Sequence, residues 1–172
     1  ILEPNAMTLS TVSLDFSPKS RIVLLKKFSS IGFTFFTNYD SNKGKSISNN
    51  NNVCLNFYWP SLEKQIIIKG NASKISENES EDYFKSRPFG SKIGAIASNQ
   101  SEVIESREFL EKKFREANNL YTKITPQRPE NWGGYLVKPL LFEFWQGRKN
   151  RLHDRLEFTY EGNIWNANRL SP

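Results

Sequence analysis

Nine short runs of β-branched, aliphatic and aromatic residues, separated by turn signals, constrain the fold of this 172-residue chain more than any other feature. Runs of this length, bounded by Gly, Pro, Asn, Asp or Ser, are typical of antiparallel strands. The predicted strands cover residues 6–14, 21–27, 32–37, 53–59, 64–75, 132–137, 140–145, 151–160 and 164–170. Strands therefore dominate both ends of the chain, and the first five can close a barrel.

The middle of the chain carries helix signals. Ser76 followed by Glu79 is a capping-box pattern, and the helix that it opens has to end near Arg87 because the next residue is proline. Apolar residues at helical spacing predict a longer helix over residues 105–121. We therefore expect one domain over residues 1–172, mainly β with flanking helices.

Composition argues against several classes of protein. Hydrophobic residues make up 37% of the chain, which is enough for a core, and no apolar run is long enough to cross a bilayer. The net charge of +6 is dispersed among carboxylates, which weakens a nucleic-acid interpretation. Cys54 is the only cysteine and there is a single histidine, so no internal disulfide and no Cys/His metal site are expected. The predicted protein is soluble and binds neither membrane nor metal.

The first methionine is Met7, which indicates that the native start and any targeting signal lie outside the sequence. A single unpaired cysteine fits a reducing compartment. We expect a cytoplasmic protein, with organelle targeting left open.

The run from Arg21 to Lys27 is apolar between its charged ends, which is typical of a strand in the interior of a sheet. In a regular strand Arg21 and Lys26 point to opposite sides, which suits contact with two different ligand groups. Ordinary charges at strand ends are the alternative.

Two further groups of residues suit anions. Ser41 can cap a short helix whose first turn carries Lys43 beside free backbone N–H groups. Tyr83 and Arg87 lie four residues apart on one helix face, and Ser91 follows, so a phenol, a guanidinium and a hydroxyl can converge on a phosphate. The alternative is that Tyr83 and Arg87 stack on each other at the surface.

A third group lies near the C-terminus. If residues 151–160 form a strand, Arg151, His153 and Arg155 share one face and Trp145 can add an aromatic wall. Two guanidiniums beside an imidazole suit an anionic, ring-shaped ligand. The alternative is a solvated strand face whose arginines pair with acids on a neighbouring strand.

Residue identity adds a family resemblance. Residues 143–147, 151–155 and 169–172 resemble the C-terminal signature of the pyridoxamine (pyridoxine) 5'-phosphate oxidases. The resemblance recurs at residues 21–26, 83–88 and 98–101, so it covers nearly the whole chain in order.

This resemblance implies a split antiparallel β-barrel that works as a homodimer and binds FMN at the subunit interface. It implies oxidation of pyridoxamine or pyridoxine 5'-phosphate to pyridoxal 5'-phosphate, with hydride transfer to flavin and reduction of O2 to hydrogen peroxide. The implied FMN contacts are Arg21, Ile22, Val23, Leu24, Leu25, Lys26, Phe36, Thr37, Lys43, Gln65, Gln100, Ser101, Trp145 and Arg155. The implied phosphate clamp on the substrate is Lys26, Tyr83, Arg87 and Ser91, and the implied ring contacts are the catalytic pair Arg151 and His153.

The chain departs from the family pattern at three positions. Asn42 stands where a second phosphate-binding arginine is common, which predicts weaker FMN binding. Phe89 and Ile96 replace a polar or basic residue and a tryptophan, which predicts altered packing. Family members also carry a further N-terminal segment that helps to cover the substrate, and this sequence does not include it.

Two other functions stay open at this point. One is a non-catalytic split-barrel protein that binds flavin or a vitamin B6 compound. The other is a basic β-barrel that binds single-stranded nucleic acid through aromatic residues such as Tyr58, Trp59 and Trp145.

Overall fold

The computed structural model describes residues 1–172, which form nine strands and four α-helices. The strands are β1 Ala6–Val12, β2 Pro18–Leu24, β3 Lys27–Phe28, β4 Phe33–Asn38, β5 Asn52–Trp59, β6 Lys64–Lys74, β7 Trp132–Gln146, β8 Asp154–Glu161 and β9 Ile164–Arg169. The helices are α1 Asn42–Asn49, α2 Glu77–Ser86, α3 Phe89–Ala97 and α4 Arg107–Tyr121. The expected class, mainly β with flanking helices, is confirmed.

The strands join in one sheet with the order β2-β1-β5-β6-β7-β4-β3, and β8 and β9 continue from β7. The chain also divides into two compact units. The first unit contains residues 1–35, 46–73 and 136–172, and the second contains residues 36–45 and 74–135. The expectation of a single domain stays a prediction.

Alternating burial builds the core of the first unit. In β1 the side chains of Met7 and Leu9 are buried while their neighbours are half-buried, and β5 repeats the pattern with Leu55 and Phe57. Antiparallel register places Leu9 opposite Leu55. The period of two in the sequence therefore selects the buried face, as expected for a sheet with one covered side.

The prediction that the run starting at Arg21 is an interior strand is wrong. β2 lies at the end of the sheet, pairs with β1 on one side, and leaves Ile22 65% exposed. An apolar run predicts that both faces of a strand are buried. It does not predict whether they are buried by the same chain or by another molecule. An exposed apolar edge strand is a surface at which another molecule can bind.

The two strands predicted over 132–137 and 140–145 are one continuous strand, β7. Proline at position 139 lacks an N–H for the ladder, which favours a break in the strand there. The proline ring nevertheless permits extended backbone, so the strand passes through Pro139 and reaches Gln146.

The second unit contains the clearest confirmed helix signal. Ser76 caps α2, since its Oγ accepts the Glu79 N–H at 3.2 Å and donates to the Glu79 carboxylate at 2.8 Å. Helix α4 begins at Arg107 after its own cap, Ser106, two residues later than predicted. Helix α3 was not predicted, because its two glycines lower helix propensity.

None of the four helices combines the length and the apolar character that a membrane-spanning helix needs.

Candidate functional site

Three aromatic rings of the second unit form a parallel stack. Phe36 of β4 lies 3.7 Å from Tyr83 of α2, measured between ring centroids and with an interplanar angle of 20°. Trp132, at the start of β7, lies 5.6 Å from Phe36 at 15°. Arg87 covers this stack, with its guanidinium carbon 4.5 Å from the Trp132 ring centroid. The arrangement is a cation–π contact on an aromatic wall.

The end of α2 fixes the position of Arg87. The helix stops at Ser86, and Arg87 adopts extended backbone (φ −70°, ψ 149°) because proline follows it. Arg87 thus lies just past the helix, where the i,i+4 spacing no longer applies, and both it and Tyr83 lie against Trp132. The two side chains contact other rings, so the alternative in which they stack on each other at the surface is wrong.

The Arg87 guanidinium is incompletely satisfied. Its Nη1 atom is buried and has no hydrogen-bond partner within the protein, and burial lowers the pKa of the group. Leaving a buried donor unpaired costs about 1–3 kcal/mol, and more for a charged group. An anion that reached Nη1 would remove this cost and form a charge-assisted hydrogen bond.

Ser91 lies in the first turn of α3 and is exposed. Its backbone N–H donates to the Pro88 carbonyl at 2.9 Å, which closes that turn. The structure thus places Tyr83, Arg87 and Ser91 on consecutive segments of one unit. Lys26 belongs to the other unit, where it is exposed and its backbone N–H donates to Thr34 O.

A second polar cluster in the same unit surrounds Lys43. The Lys43 side chain is 8% exposed, and its Nζ donates to Ser41 Oγ at 3.2 Å and to Gln100 Oε1 at 2.9 Å. Thr37 Oγ1 donates to the same Gln100 oxygen at 3.1 Å. One acceptor oxygen thus bridges a buried ammonium and a hydroxyl, which is how an oxygen of a bound anion would be held.

Ser101 connects this cluster to the start of α1. Its backbone has φ 78°, a left-handed conformation that costs energy in a non-glycine residue, and its Oγ accepts the Asn42 N–H at 3.3 Å. The predicted cap is present, since Ser41 Oγ accepts the Gly44 N–H. A helix N-terminus beside a buried ammonium is suited to a phosphate.

The predicted cofactor residues of the first unit lie on separate strands: residues 21–24 on β2, Gln65 on β6, Trp145 on β7 and Arg155 on β8. Arg21 Nη1 donates to Leu9 O at 3.1 Å and to Thr11 Oγ1 at 2.8 Å, and burial lowers the pKa of its guanidinium. Ile22 and Leu24 project from the same side of this edge strand, and Gln65 on β6 is half-buried. Gln65 pairs with Tyr58 in the ladder.

The predicted row of Arg151, His153 and Arg155 on one strand face is wrong. Strand β8 begins only at Asp154, and Arg151 lies in a 3-10 turn over Lys149–Arg151. Arg151 has φ 61°, so it leaves the period of two that the prediction assumed.

His153 nevertheless lies against the predicted aromatic wall. The centroid of its ring is 4.7 Å from that of Trp145, with an interplanar angle of 43°. Its Nδ1 accepts the backbone N–H of Arg148 at 3.1 Å. This hydrogen bond assigns the proton of the neutral ring to Nε2.

Arg155 is paired within the protein. Its Nε donates to Glu143 Oε1 at 2.7 Å, its Nη1 donates to Ser171 O at 3.0 Å, and the Glu143 carboxylate raises the pKa of Arg155. For this one arginine the alternative of pairing with an acid on a neighbouring strand is confirmed. Arg155 is also the ladder partner of Trp145.

Trp132 is the site residue that sequence reasoning missed. It looked like the start of a strand, and its position in the stack depends on contacts with Phe36 and Arg87, which are distant in sequence. The only available signal was a large aromatic residue directly after a loop.

Comparison with known proteins identifies the family. Residues 1–121 match the pyridoxamine 5'-phosphate oxidase family, and residues 132–172 match the pyridoxine 5'-phosphate oxidase C-terminal dimerisation region. Proteins named pyridoxine/pyridoxamine 5'-phosphate oxidase from Flavobacterium psychrophilum and Flavobacterium johnsoniae are 56% and 59% identical to the chain. The alignments cover 100% and 98% of the chain and 81% and 79% of these relatives.

Solved structures confirm the fold. PhzG from Burkholderia lata, in complex with tetrahydrophenazine-1-carboxylic acid, is 30% identical and superposes with a TM-score of 0.93 over 99% of this chain and 83% of PhzG. An FMN-binding protein from Nostoc punctiforme has a TM-score of 0.79 at 14% identity, with 100% and 90% of the two chains covered. The fold is the split barrel expected from the sequence. The chain belongs to the pyridoxine/pyridoxamine 5'-phosphate oxidase family.

The unpaired nitrogen of Arg87 leads to a prediction about stability. Arg87→Met keeps an apolar chain against Trp132 and removes the buried donor, so we expect the free energy of unfolding to be unchanged or raised by up to about 2 kcal/mol. Thermal unfolding measures this as an equal or higher Tm, by about 2–4 °C for each kcal/mol.

Arg128→Met is the matched control. Arg128 is also a partly buried arginine of this unit, but its Nε and Nη1 have partners within the protein, Glu81 and the Trp132 carbonyl, at 3.3 and 2.6 Å. Its loss should lower stability by about 3 kcal/mol. A fall of similar size in Arg87→Met would show that Arg87 is a structural residue and would contradict the prediction.

Proposed function

We propose that this protein is an FMN-dependent oxidase that converts pyridoxamine or pyridoxine 5'-phosphate to pyridoxal 5'-phosphate and reduces O2 to hydrogen peroxide. The observation that carries the proposal is the buried, unpaired Nη1 of Arg87 above the ring of Trp132. A partly desolvated cation at an aromatic wall suits a ligand with an anion on a flat ring. The names of relatives at 47–59% identity support the same substrates.

The Lys43 cluster fits the phosphate of FMN. A buried ammonium, the Thr37 hydroxyl and the first turn of α1 are donors of the kind that phosphate oxygens accept, and the Gln100 oxygen already occupies such a position between two of them. With Ser101, these residues would hold the phosphate. Arg21 to Lys26, Phe36, Gln65, Trp145 and Arg155 are the other proposed contacts to the cofactor. When bound, FMN supplies the redox chemistry by accepting a hydride from the substrate and passing electrons to O2.

The remaining side chains bind and orient the substrate. Arg87, with Tyr83, Ser91 and Lys26, is proposed to hold the 5'-phosphate, which does not itself react. Binding energy from this remote group restricts the position of the reacting carbon, and positioning of this kind contributes up to about 7–11 kcal/mol to catalysis.

Arg151 and His153 are proposed to contact the pyridine ring. Arg151 is exposed and carries a permanent charge, which suits the phenolic oxygen of the ring. His153 presents an Nε2–H, since its Nδ1 is occupied by the Arg148 N–H. The tilted ring of Trp145 packs against the imidazole. These groups orient the ring.

We infer that the protein is a homodimer. Its C-terminal part matches a dimerisation region, and β7, β8 and β9 expose large apolar side chains there, namely Phe144, Leu156, Ile164 and Trp165. Exposed apolar surface of this kind is typical of interfaces. Sedimentation equilibrium in the presence of FMN should give twice the chain mass at micromolar concentration. A monomer under these conditions would refute the assembly.

The function is tested by reconstitution and turnover. Protein purified with FMN should absorb in the visible, and addition of pyridoxamine or pyridoxine 5'-phosphate in air should produce pyridoxal 5'-phosphate and hydrogen peroxide in equal amounts. With pyridoxamine 5'-phosphate, one water is consumed and one ammonia is released for each turnover. Protein that cannot be reconstituted with FMN would contradict the proposal. Bound flavin without turnover would favour the non-catalytic flavin carrier.

Arg151→Ala separates ring contact from phosphate binding. Because Arg151 is proposed to orient the reacting ring, its loss should lower kcat as well as kcat/KM, whereas loss of the phosphate contact at Arg87 should mainly raise KM. Steady-state kinetics on pyridoxamine 5'-phosphate, at saturating FMN, measure both constants. If Arg151→Ala kept the wild-type kcat and kcat/KM, its catalytic role would have to be withdrawn.

A further inference from the structure

The loop between β7 and β8 carries both proposed ring contacts. Gln146 and Asp154 are the last ladder partners of these strands, so Gly147 to His153 form a seven-residue connection. Asn150 and Arg151 both have left-handed backbone, with φ 58° and 61°. Two consecutive left-handed non-glycine residues are costly, and such a conformation persists only where the surroundings impose it.

Asp154 is the side chain that connects the two ends of this loop. Its Oδ2 accepts Arg148 Nε at 2.7 Å, and its Oδ1 accepts Arg169 Nη1 from β9 at 2.8 Å. Both hydrogen bonds lower the pKa of the carboxyl, so it is ionised at neutral pH. One carboxylate therefore holds the start of the loop against the neighbouring strand.

Arg148 transmits this contact to the imidazole. Its side chain is bound to Asp154 while its backbone N–H donates to His153 Nδ1. The loop is also attached at its first residue, since the Gly147 N–H donates to Glu63 O at 2.8 Å. Displacement of Arg148 would therefore alter the donor to His153 and the path of the chain that carries Arg151.

We propose that Asp154 is a positioning residue, which closes the loop through Arg148 and so sets the orientation of Arg151 and His153 toward the substrate. This inference rests on the proposed function. It assigns Asp154 no contact with substrate or cofactor. The ion pairs are exposed, with Arg148 59% and Arg169 64% accessible, so they contribute little to the stability of the whole protein. These two ion pairs instead select the conformation that the loop between β7 and β8 adopts.

The first test is a double-mutant cycle with Asp154→Asn, Arg148→Gln and the double variant. Each single variant should lower kcat/KM for pyridoxamine 5'-phosphate by about 5- to 30-fold, with a fall in kcat, while Tm and the FMN dissociation constant stay near wild-type values. The double variant should be no worse than the single ones, because both substitutions break the same contact. Glu161→Gln, which removes an exposed carboxylate at the other end of β8, is the control and should not change the kinetics.

A second measurement does not depend on activity. His153 is the only histidine, so nitrogen-15 NMR of the imidazole reports this site alone. Wild-type protein should show the Nε2–H tautomer, and Asp154→Asn should show a mixture of tautomers.

The outcomes are distinguishable. An unchanged kcat/KM in Asp154→Asn, or effects of the two substitutions that multiply, would overturn the role of Asp154. If the wild type had no oxidase activity, the proposed function would be wrong. The positioning role of Asp154 would then be tested only by the tautomer of His153 in the NMR measurement. An imidazole signal identical in wild type and Asp154→Asn would then overturn it.

Discussion

A half-buried guanidinium with one buried, unpaired nitrogen is the constraint on which the proposed site depends. Arg87 lies over Trp132 with one buried nitrogen unpaired, and α2 ends at Ser86 because Pro88 favours an extended backbone at Arg87. Side chains in such a position cost stability, and proteins tolerate this cost at sites where a ligand supplies the missing partner. The capping box at Ser76 and the ring stack beneath Arg87 hold the group in place. The fold thus maintains a cation in surroundings that favour an anion.

The sequence predicted the elements well where local chemistry decides them. Ser76 with Glu79 marked the start of α2, and alternation in β1 and β5 marked the buried face. The sequence-based predictions were wrong where contacts with residues distant in sequence decide the structure. The run after Arg21 contains no signal that distinguishes an interior strand from an exposed edge strand. Strand β7 continues through Pro139, and α3 forms although two glycines lower its helix propensity. These errors reflect tertiary contacts that override propensity.

The predictions about the candidate site were likewise correct where local sequence decides the structure and wrong where distant contacts decide it. Spacing alone placed Ser41 at a cap, and family resemblance added Gln100, whose oxygen the structure places on Lys43. The strand face proposed for Arg151, His153 and Arg155 failed, because left-handed residues cannot be read from a pattern with a period of two. The loop between β7 and β8 is instead organised by Asp154 and Arg148. Trp132 became visible only through contacts distant in sequence.

Calorimetry with a phosphorylated ligand and its dephosphorylated counterpart tests the central claim most directly. 4-Deoxypyridoxine 5'-phosphate and 4-deoxypyridoxine carry no group at C4' that can react or cyclise and differ only in the phosphate proposed to reach Arg87, so the ratio of their dissociation constants isolates that contact. If about 1.5–3 kcal/mol comes from the charge-assisted bond, Arg87→Met should reduce the preference for the phosphorylated ligand by about 10- to 150-fold while leaving the binding of 4-deoxypyridoxine unchanged. An equal preference in wild type and Arg87→Met would contradict the account, because the buried nitrogen would then have no role in binding phosphate.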